Sequence, residues 1–196
     1  NHRLAETSSI EVIAERRTVF IDLDQDKETV WQAYASDNRN RIRKSEKLGV
    51  AVNARDDAEA LRAFSALYKQ RMTELDADTG YFFDDAYLDK IAGLGLGRHR
   101  VYLAQVGADV IGGALVLFSD RFAHYHLSST PREYQHYAAN NMLRHAVIVS
   151  LLGGPYEKLH FGGGRTSDPS DSLFKFKRRF SKSFAEFHIG RYVADP

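Results

Sequence analysis

Two short segments concentrate the side chains able to handle an anion. Residues 37–47 set Arg39, Arg41, Arg43, Lys44 and Lys47 against Asp37 and Glu46. Residues 165–182 set Arg165, Lys175, Lys177, Arg178, Arg179 and Lys182 against Asp168 and Asp171. On a chain of 196 residues with net charge +1, such clusters point to a local anionic ligand rather than a molecule-wide field. A solvated helix face can look the same. Guanidinium forks suit phosphate oxygens; Arg39 and Arg43 lie one helical turn apart on one face, with Arg41 pointing elsewhere. Ahead of the second cluster, Gly162, Gly163 and Gly164 follow an apolar strand and signal positive φ or a close backbone approach, read here as room for a substrate backbone. His124 and His126 share one strand face, His160 falls on a neighbouring strand, and Tyr125 points the other way. With no cysteine and no carboxylate partner, these side chains suit the lining of a substrate cleft better than a metal site. Tyr125 and His126 are the candidate contacts from that strand. No Ser-His-Asp arrangement is apparent.

The elements that must position these groups follow from periodicity and caps. Thr18–Leu23 has strand composition, after an irregular start with a weak strand signal at Ile10–Ala14. Asp24 or Asp26 caps a helix through Val30, Trp31 and Tyr34, and a second helix runs through Asn38–Lys47 and stops at Gly49. Val50–Val52 is a short strand, and Leu61, Phe64, Leu67, Tyr68, Met72 and Leu75 mark a helix from about 57 to 75. A short helix over 84–91 leads to the glycine-rich connection 93–97, which follows a helix and so does not suit a phosphate loop. Val101–Val106, Val110–Phe118 and Phe122–Ser128 form an antiparallel meander. Thr130–Tyr137 is a polar loop, a helix runs from Asn140 to Leu152, and 159–161 is a strand. Asp171 caps a basic helix, and Phe184–Val193 closes the sheet. This is an α+β plan: a mixed, mostly antiparallel central sheet flanked by helices. Residues 1–17 read as a tail or the end of a preceding module, and 18–196 as one domain. Because the chain opens on Asn1 rather than Met, an N-terminal portion is expected to be missing from it.

Two segments resemble a known family. Arg39-Asn40-Arg41-Ile42-Arg43-Lys44, then Lys47, Gly49 and Val50, are similar to the basic segment of the Fem-type peptidoglycan-bridge aminoacyltransferases. Gly162–Gly164, followed by Asp171–Phe174, Phe176-Lys177 and Phe180, resemble that family's closing glycine strand and Phe-Lys helix. The resemblance implies a GNAT-like (acyl-CoA N-acyltransferase) fold and transfer of an acyl group to an amine. It further implies an aminoacyl-tRNA donor, a peptidoglycan precursor acceptor and no permanently bound cofactor. It implies too that 18–196 is the C-terminal module of something longer. Lys177 then takes the principal catalytic or donor-orienting role, Lys175 is a neighbouring contact, and Arg39, Arg43 and, less directly, Arg41 hold phosphate.

A competing reading on the same fold is an acetyl-CoA-dependent N-acetyltransferase. The place of its pyrophosphate loop is Gln135–Asn140, which has the glutamine but lacks the central glycine and the small terminal residue. A third reading is a non-catalytic module that binds an anionic partner. No apolar run is long enough to span a bilayer, so a cytoplasmic place, with peripheral contact at the inner membrane face, is expected. The oligomeric state is not legible.

Overall fold

The computed structural model describes residues 10–95 and 97–192. Its strands are β1 (Glu11–Asp22), β2 (Ala51–Arg55), β3 (His99–Val106), β4 (Asp109–Phe118), β5 (Phe122–Ser129), β6 (Lys158–Gly162) and β7 (Phe184–Arg191). They form one sheet in the order β2-β3-β4-β5-β6-β1-β7. Every neighbouring pair is antiparallel except β5 and β6. The helices are α1 (Lys27–Ala33), α2 (Ser36–Lys47), α3 (Ala58–Glu74), α4 (Asp85–Ala92), α5 (Ala139–Leu151) and α6 (Ser172–Arg178). The expected α+β architecture, a mixed sheet flanked by helices, is borne out.

Around β3, β4 and β5 the sheet is covered on both faces, and strand alternation decides which residues meet which helix. Val101 and Leu103 of β3 pack with Phe64 and Tyr68 of α3 and Leu88 and Ile91 of α4. Tyr102 and Ala104, on the opposite face, pack with Leu143, Val147 and Ile148 of α5 and Ile42 of α2. Burying each large aliphatic side chain contributes about 1.5–3 kcal/mol. Four helices start on an aspartate: Asp26, Asp57, Asp84 and Asp171 accept the backbone N–H groups of Thr29, Ala60, Tyr87 and Phe174. Each satisfies a donor that the helix itself cannot.

Two local expectations are corrected. Residues 11–17, read as part of an irregular start with a weak strand signal at Ile10–Ala14, are the first half of β1, which pairs with β7 along this stretch. Backbone pairing rather than burial holds them, since the buried core residues of β1 are Val19 and Ile21, so the hydrophobic pattern is weak there. Within the segment expected to be a loop, Arg132–Tyr137 is a 3-10 helix that leads into α5. β7 closes the sheet as an edge strand ending at Arg191, with Phe184, Phe187 and Ile189 exposed. Residues 1–9 of the expected tail, Leu96 of the glycine-rich connection and Val193 lie outside the described residues. Among the described residues, no helix is long and apolar enough to cross a membrane.

Candidate active site

The parallel strands β5 and β6 are joined only at Phe122–Lys158, Ala123–Leu159 and His124–His160. Beyond that last pair β5 runs on to Ser129, whereas β6 ends at Gly162 with φ +74°. A cavity of about 620 Å³ lies at this parting. β5 contributes Tyr125 and His126 to its wall, α5 contributes Arg144 and α6 contributes Lys177. Asp76 and Asp78, just after α3, and Arg165, just after β6, also line it.

Lys177 is fixed in this cavity by donating from Nζ to the Gly163 carbonyl at 2.7 Å. Burial above all, with the Arg144 charge adding and Asp171 opposing, pushes its ammonium down to about 8. The glycines shape this corner in different ways. A Cβ on Gly162 would sit 3.4 Å from Lys177 Nζ, in a backbone conformation that disfavours any side chain. At Gly163 a Cβ would stand 2.8 Å from the Arg17 carbonyl, and at Gly164 2.5 Å from Asp171 Oδ1. What approaches Gly163 and Gly164 is therefore this chain itself, and their side-chain space is not open to a substrate.

The histidines divide between two cavities. His126 lines the Lys177 cavity, with Nε2 against the Tyr87 hydroxyl and its pKa lowered by burial. His124 and His160, rings 5.2 Å apart, line a separate apolar cavity of about 660 Å³ with Phe20 and Phe187. Burial first, then the neighbouring histidines and Lys177, pushes His124 down to about 4, and burial and Lys177 lower His160. Among the described residues, no group of histidines and carboxylates is arranged to hold a metal ion. Tyr125, on the opposite strand face, is buried against Phe161 and reaches the Lys177 cavity from that side.

The basic residues of α2 lie away from this cavity. Arg39 donates to the Gln32 and Tyr34 carbonyls and so caps the last turn of α1. Arg43 lies over the Trp31 ring at 5.3 Å and donates to Asn40 Oδ1. Arg41 and Lys175 are exposed, and none of these four lines the cavity around Lys177. At Gln135–Asn140, Ala138 has φ +55° and sits at the start of α5. An alanine thus adopts the left-handed backbone that a glycine takes without penalty.

Sequence reading missed Arg144, Asp76 and Asp78. Arg144 is 4% exposed and lies 4.6 Å from the Tyr125 ring centroid and 4.7 Å from that of Phe176. Such contacts contribute about 0.5–2 kcal/mol each, against several kcal/mol for taking an ion out of water. The one available signal was its position four residues before Ile148, on a helix whose apolar residues occur too often for a single stripe.

The model of the acetyltransferase (GNAT) domain matches residues 33–178. Among solved structures, the crystal structure of FemX superposes with a TM-score of 0.74 at 15% identity, covering 92% of this chain and 62% of that one. The C-terminal (DUF2156) domain of a putative lysylphosphatidylglycerol synthetase from Agrobacterium fabrum gives 0.64 at 12% identity, covering 93% and 62%. An aminoglycoside acetyltransferase from an uncultured soil metagenomic sample, in complex with sisomicin, gives 0.52 at 15% identity, covering 76% and 97%. The chain thus spans less than two thirds of the first two structures. No curated protein sequence matches it. At these identities the likeness is one of fold, while the domain match extends over most of the chain: the protein belongs to the acetyltransferase (GNAT) domain family, as an N-acyltransferase domain with a fold like that of FemX.

Proposed function

We propose that the chain moves an aminoacyl group from a charged tRNA to an amine on a peptidoglycan precursor, working in the cytoplasm or against the inner membrane face. The observation that carries this reading is Lys177, a half-buried ammonium fixed to the Gly163 carbonyl where β5 and β6 part. It also occupies the Phe-Lys position of the motif resemblance. Attack of an amine on an ester carbonyl builds negative charge on oxygen, and a preorganised ammonium stabilises it. The new C–N bond forms as the ester C–O bond breaks; the acceptor nitrogen gives up a proton, and the departing tRNA oxygen takes one up to leave as a hydroxyl. His126, whose pKa burial lowers and whose Nε2 faces the Tyr87 hydroxyl in the same cavity, is our candidate to carry that proton from the nitrogen to the departing oxygen. Arg43, exposed on α2, is available to tRNA or nucleotide phosphates outside the cavity, with Arg41 beside it, whereas Arg39 is already engaged with α1. Fold likeness to FemX and to a lysylphosphatidylglycerol synthetase domain supports the aminoacyl donor.

A second reading, acetyl transfer from acetyl-CoA, is favoured by the acetyltransferase domain match and by the left-handed Ala138 at the start of α5. Helix-start amides there are suited to a pyrophosphate. The test supplies charged tRNA with nucleotide-linked muramyl pentapeptide in one arm and acetyl-CoA with the same acceptor in the other. Transfer in the first arm, reduced about 10²–10³-fold by Lys177→Ala, supports the proposal. Product only from acetyl-CoA moves the assignment to the second reading. Full turnover by Lys177→Ala removes that residue from the chemistry, and silence in both arms favours an anion-binding module.

A further inference from the structure

Arg144 and Tyr125 are each 4% exposed, and both line the cavity that holds Lys177. Arg144 donates from one terminal nitrogen to the Asn140 carbonyl at 3.3 Å, while its Nε–H has no partner. Among the described residues, no carboxylate forms an ion pair with it. Tyr125 Oη has the Ser128 hydroxyl near it but makes no hydrogen bond of good geometry. Buried donors are normally satisfied, and buried charges are normally paired. Two aromatic faces return only part of what a guanidinium loses on leaving water. A third donor, Lys177, stands near enough for the two positive charges to repel. The carboxylates that line the cavity, Asp76 and Asp78, follow α3, whose core faces the other side of the sheet from α5.

We propose that Arg144 and Tyr125 form an anion-receiving subsite in the wall of this cavity, which takes one singly charged oxyanion of a substrate, a carboxylate or a phosphodiester. The guanidinium supplies fixed charge and a flat fork, the phenol supplies an O–H, and Lys177 lies close enough to share the bound charge. A bound anion also relieves the repulsion between the two cations, so occupancy of the subsite favours the protonated Lys177 needed for oxyanion stabilisation. The proposal deepens the transfer reading. Its test measures binding, so lost transfer with intact anion binding counts against that reading alone, and absent anion binding counts against this one alone.

The test titrates the chain by calorimetry at pH 7 with N-acetylglycine, with dimethyl phosphate and with neutral N-acetylglycinamide. Binding of either anion in preference to the amide is expected, and which anion binds identifies the group. Arg144→Met weakens that binding about tenfold or more, and Tyr125→Phe weakens it several-fold. Without ligand, Arg144→Met melts above wild type, because it removes an unpaired buried charge while keeping an apolar stem between the rings. Equal binding of the amide, or unchanged anion binding by Arg144→Met, overturns the proposal. A lower melting temperature together with unchanged binding assigns Arg144 to packing alone and overturns it too. Should Arg144→Met not fold, Arg144→Lys is measured in its place: weaker anion binding supports the subsite, and wild-type binding overturns it.

Discussion

Lys177 carries a thermodynamic signature beside the role proposed for it. Its folded-state pKa of about 8 lies below the ordinary 10.5, so between those values the unfolded chain binds more protons than the folded one. Stability at this site therefore rises as pH increases from about 8 to 10 and is lowest, and flat, below 8. Lys177→Met is expected to raise the melting temperature at pH 7 and to flatten that rise; chemical denaturation from pH 7 to 10 measures both. A second residue-scale prediction concerns Ala138. Left-handed backbone costs an L-residue about 1–2 kcal/mol, and Ala138 sits at the helix start, so Ala138→Gly should stabilise the protein by up to about 1 kcal/mol. A shift of the urea midpoint at constant slope would report it. Arg144 shows the limit of reading single residues from sequence: its place four residues before Ile148 hints at burial, but the aromatic faces that enclose it come from β5 and α6.

Among the elements, α6 is tied down at its start by Asp171. Asp171 Oδ1 accepts the Phe174 N–H at 2.9 Å, and Oδ2 accepts the Arg165 N–H at 3.1 Å. One carboxylate thus starts the helix that carries Lys177 and ties it to the strand-to-helix link. Asp171→Ala should cost about 1 kcal/mol of stability and lower transfer through misplacement of Lys177, with Asp171→Ser restoring much of both; melting curves beside initial rates separate the effects. This cap was legible in the sequence, as were the amphipathic helices, because capping and a 3.6-residue period are local signals. The first half of β1 gave only a weak strand signal at Ile10–Ala14, since β7, which pairs with it, lies more than a hundred residues away. For the same reason Lys177, the glycine corner and the β5 contacts Tyr125 and His126 were legible as local patterns, whereas the cavity wall drawn from α3 and α5 emerges only when the sheet assembles. Arg39 shows the opposite error: its spacing suited a phosphate, but the end of α1 takes its guanidinium.

At the scale of the molecule, buried neutral histidines couple the fold to acid. His124 and His145 are both pushed down to about 4, chiefly by burial, and His126 and His160 are lowered as well. Unfolded histidines take up protons near pH 6.5 while these folded ones do not, so stability is lost as pH falls from about 6.5 towards 4. For His124 and His145 the loss approaches about 3 kcal/mol each. A steep fall in melting temperature across that interval is expected, shallower in His145→Asn, which lies outside both cavities; a pH-independent melting temperature from 6.5 to 4.5 would contradict it. The sheet itself carries one more consequence. Past His124, the side of β5 that turns towards β6 has no rung to share, so its amides lack the protection of a ladder. In deuterated water the amides of residues 125–128 on that side should exchange faster than those of β3 and β4, and should slow when a substrate enters the gap. The parted strands would then act as a built-in reporter, registering occupancy as a local change in exchange.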